Sequence, residues 1–397
     1  MKLNKNFRFL MLGQTLANLG DVFYIVSIIS VLYKLTSSAT VAAFVPFTIT
    51  SAMFISSIIT PLVIGKWRLK SVLLASQIGK TILLVGLGAF ILLFLQDMNY
   101  YFIFFIIAGI AFLDGCANPI LHTLIPYYVE DEQLIKANSI AESLTQMIQI
   151  GGWLFGGLLL LVISSIQLIG IVSVLFMLSC VLLAFIQHVD YVDKEKQKLW
   201  EQLTGGWKSI GATPVLKKIV QMDIIETIAG TVWIAAIVYV FVEQALHVGE
   251  QWWGLINGSF FIGLLIGSLY CIKFPNLVDQ YKYLFIFAGV IISSILTILF
   301  GTTSHPVIAL ILSFGIGLFG QLKNIPQRTV IQRSISVEKL VTVYTSMGTV
   351  ATGVFGISSL VIGILADHLG VRAVFIFSGL LLAIVSIIAY RNKKLFV

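Results

Sequence analysis

Charge is what this sequence has least of. Asp, Glu, Lys and Arg together make up 11% of its 397 residues, against about 25% in an ordinary soluble domain. A chain that is 58% hydrophobic, with a mean hydropathy of +1.00, would expose too much apolar surface to stay dissolved in water. Cysteine is also scarce. Cys116, Cys180 and Cys271 fall in apolar runs, fit no metal-ligand spacing and are odd in number, so they read as small buried core residues. Nucleotide-driven pumping and the common hydrolytic chemistries have no signature here: there is no GxxxxGK[ST] loop, HExxH, GxSxG or His/Cys cluster. His122, His188, His247, His305 and His368 are scattered at the ends of apolar runs. The basic N-terminus MKLNKNFRF leads into an apolar run that continues through Val31 without a small-residue cleavage pattern.

What remains is long apolar runs, each near the roughly 20 residues a transmembrane helix needs. Twelve spans are expected: Phe7–Tyr33, Val41–Gly65, Ser71–Leu95, Tyr101–Thr123, Leu134–Ile163, Leu168–His188, Ile219–Glu243, Gln251–Ile272, Lys282–Phe300, Pro306–Pro326, Glu338–Ala366 and Val371–Tyr390. With the N-terminus in the cytoplasm, the basic residues fall on the cytoplasmic side except for Lys34 and Arg372 outside and Lys80 within a span. This bias sets the orientation and accounts for the net charge of +7 without nucleic acid. The charged connection 189–218 divides the chain into an N-terminal bundle, 1–188, and a C-terminal bundle, 219–397. Within the connection, Leu199, Leu203 and Trp207 share the spacing of an interfacial helix face.

The two bundles are copies of one plan. Asn118–Gly157 repeats without gaps as Asn324–Gly363: Asn118 matches Asn324, Thr123 matches Thr329, Ile125 matches Ile331, Glu132 matches Glu338, Leu134 matches Leu340 and Gly157 matches Gly363. The expected fold class is therefore an all-α polytopic membrane protein, with 12 transmembrane helices in two pseudo-symmetric six-helix bundles.

Charges inside spans are expensive and mark function by default. Asp21, Asp114, Glu142 and Glu226 lie well inside spans, with Asp223 nearer an edge. Their helical neighbours are polar at i, i+4 and i+7 spacing: Gln14 and Asn18 with Asp21, Asn118 and His122 with Asp114, Gln146 with Glu142, Gly230 and Trp233 with Glu226. Span 10 adds Ser313, Gly317, Gln321 and Asn324. Spans 1, 4, 7 and 10 would thus line one polar cavity, as in transporters built from repeats. Interhelical hydrogen bonding inside a bundle is the competing explanation. A Lys80–Glu142 or Lys80–Asp114 ion pair is also expected as pure structure, whereas Asp21 has no cation near it in sequence. A carboxylate in a partly desolvated cavity readily goes neutral, the property of a proton carrier. Asp21, Asp114, Glu142 and Glu226 are the proton-coupling candidates. Gln14, Asn18, Tyr24, Asn118, Gln146, Trp233 and Gln321 are the cavity-lining candidates.

Gly151, Gly152, Gly156 and Gly157, and the Gly263–Gly267 pair, permit close helix approach. Pro46, Pro119 and Pro326 are expected to kink or end their helices.

A group of short motifs recurs through the first half: Asn6-Phe7-Arg8, Gly13-Gln14, Leu19-Gly20-Asp21, Asn118-Pro119, Ile125-Pro126, Leu134, Ala137-Asn138 and Gly156-Gly157. In these the chain resembles the major facilitator superfamily, and within it the drug-exporter branch of macrolide efflux and enterobactin exporter proteins. In the loop after span 2, Gly65-Lys66-Trp67-Arg68-Leu69-Lys70 keeps the family's basic residues but not its Asp. The resemblance implies proton-coupled efflux of amphipathic small molecules by alternating access in the cell membrane. No cofactor, metal or catalytic residue is implied. The partners are a small-molecule substrate, protons and the lipid bilayer. Export of one metabolite such as a siderophore is the rival within transport, and a transport-inactive receptor or scaffold the rival outside it.

Overall fold

The computed structural model describes residues 4–36, 39–64, 67–96, 99–187, 199–233, 235–249 and 251–396. Regular structure among them is helical throughout. In chain order the helices are α1 (Lys5–Thr36), α2 (Ala39–Ile64), α3 (Leu69–Leu93), α4 (Tyr101–Tyr128), α5 (Leu134–Val162), α6 (Ser165–Ala184), α7 (Leu199–Ala212), α8 (Pro214–Gly230), α9 (Ala235–Gln244), α10 (Gln251–Lys273), α11 (Pro275–Gln280), α12 (Lys282–Thr302), α13 (Pro306–Ser334), α14 (Val337–Leu369) and α15 (Val371–Arg391).

Each expected span corresponds to a helix in order, the seventh to α8 and α9 together. Among the described residues, ten helices are individually long and apolar enough to cross a membrane. The α8–α9 pair, bent by 47° at a break after Gly230 and a short 3-10 turn, adds another. The 29-residue α5 occupies the place of the fifth span. Helix formation is forced here, because hydrocarbon offers the backbone no partner outside the segment itself. Large apolar side chains point outward, such as Leu360 at 71% and Ile357 at 69% exposure on α14. In water such a surface would drive association; in lipid it costs nothing.

Two compact units result. The first comprises Met1–Glu130, Met147–Trp207 and Val337–Thr349, and the second Asp131–Gln146, Lys208–Ser336 and Val350–Val397. The repeat is visible in the packing. In the first unit α1 packs on α6, α4 on both α2 and α3, and α3 on α6. In the second, α8 packs on α15, α13 on both α10 and α12, and α12 on α15. The pairing of helices is the same in both.

The first unit's core gathers Ile28, Leu84, Ile107, Ile110, Val172 and Phe176. The second unit's core is more aromatic. Phe241, Phe300 and Phe375 meet with ring centroids 4.6–5.0 Å apart, and Trp233 lies 4.8 Å from Phe300. Helices α10 and α13 approach most closely where Gly263 faces the Phe314 carbonyl and Gly317 faces the Phe260 carbonyl, with room for no side chain at either. Cys116 and Cys271 are buried and Cys180 partly so, and all three are free thiols.

The prolines correct an expectation. Span 4 was expected to end at Thr123 and span 10 at Pro326, but α4 runs through Pro119 and Pro126 to Tyr128, and α13 runs through Pro326 to Ser334. A proline frees a carbonyl one turn back, and membrane helices tolerate this because neighbouring helices and Ser/Thr side chains take up the freed groups. The consequence is that residues past Pro326 are helical and packed. Gly65, Lys66, His188 and the first part of the central connection lie outside the described residues, as do the side chains of Trp153–Gly157, Leu199 and Leu203.

Candidate transport site

In the first unit the polar side chains of three helices converge on Lys80 of α3. Its ammonium donates to Asp21 Oδ2 of α1 at 2.8 Å and to Asp114 Oδ1 of α4 at 2.7 Å. Lys80 is 1% exposed, while the two carboxylates remain 18% and 21% exposed. Local sequence explains how it reaches them. Gly20 lets the Phe176 ring of α6 lie against α1, and the Lys80 ammonium sits 5.1 Å from the centre of that ring, a cation–π arrangement. The cluster therefore has one positive and two negative groups, with the ammonium dry and the acids partly wet.

Tyr24, one turn beyond Asp21, is buried. Gln14 donates to Asn18 at 2.8 Å along the same helix. Asn118 is half-buried one turn past Asp114. Of the two ion pairs expected for Lys80, the one with Asp114 is present and the one with Glu142 is not. Asp21, which has no cation near it in sequence, takes the same ammonium, because α1 and α3 both pack on α6.

The second unit holds the other acids. Glu226 of α8 pairs with Lys323 of α13. One turn earlier, Asp223 accepts from Gln327 at 2.7 Å. Glu142, on the front part of α5, pairs with Arg328 of α13 and accepts from Gln321 at 3.3 Å. Gln321 also donates to Ser268 at 3.0 Å. Gln146 is buried one turn from Glu142. Lys323, 5% exposed, and Arg328, 27% exposed, are thus the counter-ions of two intramembrane carboxylates.

Sequence reasoning missed Lys323. It treated Lys80 as the sole cation within a span and placed Arg328 at a span end, although Lys323 falls inside the expected span Pro306–Pro326. The available signal was the imbalance itself: several buried acids and a single counted cation do not make a stable interior, since an unpaired buried charge is strongly destabilising. Near the end of α13, Arg333 bridges Asp131 (2.8 Å) and Asp279 (2.5 Å), fastening the turn before α5 and the short α11 to it.

Trp233 and Glu226 also line a pocket of ≈ 210 Å³ among helices of the second unit. The Trp233 ring stacks on Phe260 at 5.8 Å and lies tilted 4.8 Å from Phe300.

Comparison with known proteins decides the family. The sequence profile described as Major Facilitator Superfamily matches residues 10–356. The chain belongs to the major facilitator superfamily. The uncharacterized MFS-type transporter YfmI of Bacillus subtilis (strain 168) is 30% identical, over 99% of this chain and 97% of its own length. YjbB of the same organism is 26% identical over 99% and 96%. Among solved structures, a bacterial homologue of the iron transporter ferroportin in an outward-facing state superposes with a TM-score of 0.78, at 16% identity over 98% of this chain and 99% of that one. The E. coli fucose:proton symporter gives 0.77 at 13% identity over 97% and 98%. At such identities the likeness shows the fold. MFS proteins are transporters of small molecules across membranes, not enzymes, and this chain is accordingly a multi-pass membrane transporter.

Proposed function

We propose that this MFS protein is a proton-coupled exporter of amphipathic small molecules in the cell membrane. It works by alternating access of the 1–188 and 219–397 halves, with both termini cytoplasmic. The observation that carries the proton coupling is Lys80 held between Asp21 and Asp114. With both acids ionised the cluster carries one net negative charge. A proton on either acid makes it neutral and leaves Lys80 paired with the other. The cluster therefore loads and unloads one proton without stranding a buried ammonium, an arrangement that favours Asp21 and Asp114 as carriers. The likeness in fold to the E. coli fucose:proton symporter is in keeping with coupling to protons.

Export of a specific metabolite such as a siderophore is the second reading. It is favoured by Lys323, which brings a cation to the pocket beside Trp233. The test is a proteoliposome assay with an imposed pH gradient and a panel of dyes, macrolides and siderophores. The proposal expects gradient-driven movement of amphipathic dyes or macrolides. Movement of the siderophores alone favours the second reading, and movement of none of the panel rejects export of this kind.

A further inference from the structure

Like α5, helices α7 and α14 change unit part-way along. Each belongs to the first unit at its start, α7 as far as Trp207 and α14 as far as Thr349, and to the second beyond that. These starting portions touch at Gly206. A Cβ there would collide with Ser346 Oγ and with the Thr342 carbonyl, so the α7 backbone rests directly on α14. The neighbouring Gly205 faces open space. Beside this tight contact the packing is loose. A cavity of ≈ 220 Å³ lies among α2, α7 and α14, with Ser57, Thr204, Trp207, Thr345 and Thr349 in its wall, whereas a permanent helix contact is filled to the density of a protein interior.

The polar groups at this cavity can part without loss. Ser57 donates to the Phe54 carbonyl at 2.7 Å, Thr345 to Val341 at 2.7 Å and Thr349 to Thr345 at 3.0 Å, each within its own helix. Ser57 and Thr349 also meet each other at 3.0 Å. Each hydroxyl has only one proton to give, so that contact adds little to what the helices already supply. Separating α14 from α2 therefore strands none of these donors, and a stranded donor is the main cost of opening a buried polar contact. A tight seat on one glycine, loose packing around it and hydroxyls satisfied within their own helices are the properties of a contact that opens.

We propose that α7 is a releasable strap. Seated through Gly206 on Thr342, it holds the start of α14 on the first unit, and it lifts when α14 leaves that unit. The remainder of both helices belongs to the second unit, so any movement of the units against each other pulls on this seat. The strap acts whatever the substrate and with or without protons, and so goes beyond the transport proposal.

Thr345 is 1% exposed and reports on release. The full chain carrying Thr345→Cys is treated with N-ethylmaleimide in nanodiscs, and labelling at position 345 is followed by peptide mass spectrometry. Cys271, 0% exposed in the second unit, serves as the clock of global unfolding. Position 345 is expected to label about tenfold faster than Cys271 or more, because local opening precedes global unfolding. Adding Gly206→Ala should raise that ratio about fivefold or more, whereas Gly205→Ala should leave it within about twofold. Both substitutions remove a helical glycine, so helix propensity cancels between them and the collision with Thr342 is what differs. Ser346→Thr adds a methyl on the α14 side of the same contact and should act in the same sense, which keeps the test open if Gly206→Ala fails to fold. Equal labelling of position 345 and Cys271, equal effects of the two glycine substitutions, or no rise in the ratio with either Gly206→Ala or Ser346→Thr overturns the inference. The labelling uses no proton gradient and no transported substrate, so its failure is separable from failure of the export assay.

Discussion

Replacing Lys80 by methionine isolates the energetics of the first-unit cluster. Methionine keeps the length and apolar stem of lysine and removes the charge. Each of the two ammonium–carboxylate contacts, at 2.8 and 2.7 Å, is worth about 6 kcal/mol of gross attraction at an effective dielectric constant of about 20. Desolvating the ions offsets most of this, by several kcal/mol per ion. What the substitution exposes is the remainder: two like charges left facing each other without a cation. Removing one partner of a buried ionic group costs about 3–5 kcal/mol, and Lys80→Met is expected in that range. The triple variant Lys80→Met, Asp21→Asn, Asp114→Asn removes every charge of the cluster and should lie within about 2 kcal/mol of the wild type. The assay is SDS-driven unfolding in mixed micelles followed by circular dichroism, comparing the three proteins at one pH. The reasoning is refuted if Lys80→Met is as stable as the wild type, or if the triple variant is less stable than Lys80→Met.

Other consequences are independent of that cluster. Gly317→Val would drive a side chain into the Phe260 carbonyl across the α10–α13 contact, and is expected to destabilise by at least the 1–3 kcal/mol of overpacking, measured in the same unfolding assay. Arg333→Met removes contacts to Asp131 and Asp279 that are partly exposed; a loss of about 1 kcal/mol or less is expected, and raising the salt concentration should shrink it. Lys34 and Lys339 are both exposed and are expected on opposite sides of the membrane. Cysteines placed there should react with an impermeant maleimide in intact cells at position 34 and not at 339; the reverse labelling would invert the topology.

The spans and the internal repeat were legible in the sequence because lipid imposes a one-dimensional rule: a run of apolar residues long enough to cross must be helical. The four acids within the spans were legible for a related reason, since any carboxylate in such a run stands out. Their partners were not. Lys80 and Asp21 are 59 positions apart, and Lys323 and Glu226 are 97 apart, so the pairing depends on which helices pack together. By contrast Gln14 and Asn18, four residues apart, were readable as one stripe and do bond. Arg328 was hidden by Pro326, which reads as a helix end but lies inside α13, whereas Lys323 lay within the expected span and was not counted as one of its cations.

The central claim is that the Asp21–Lys80–Asp114 cluster carries the transported proton. It is tested most directly by trapping a pH-sensitive dye inside proteoliposomes and recording the proton flux that a transported substrate elicits, in the wild type and in Asp21→Asn and Asp114→Asn. The account predicts substrate-elicited flux in the wild type and its loss in at least one of the two variants, with Lys80 still paired to the remaining acid and the protein still folded. Undiminished substrate-elicited flux in both variants would contradict it.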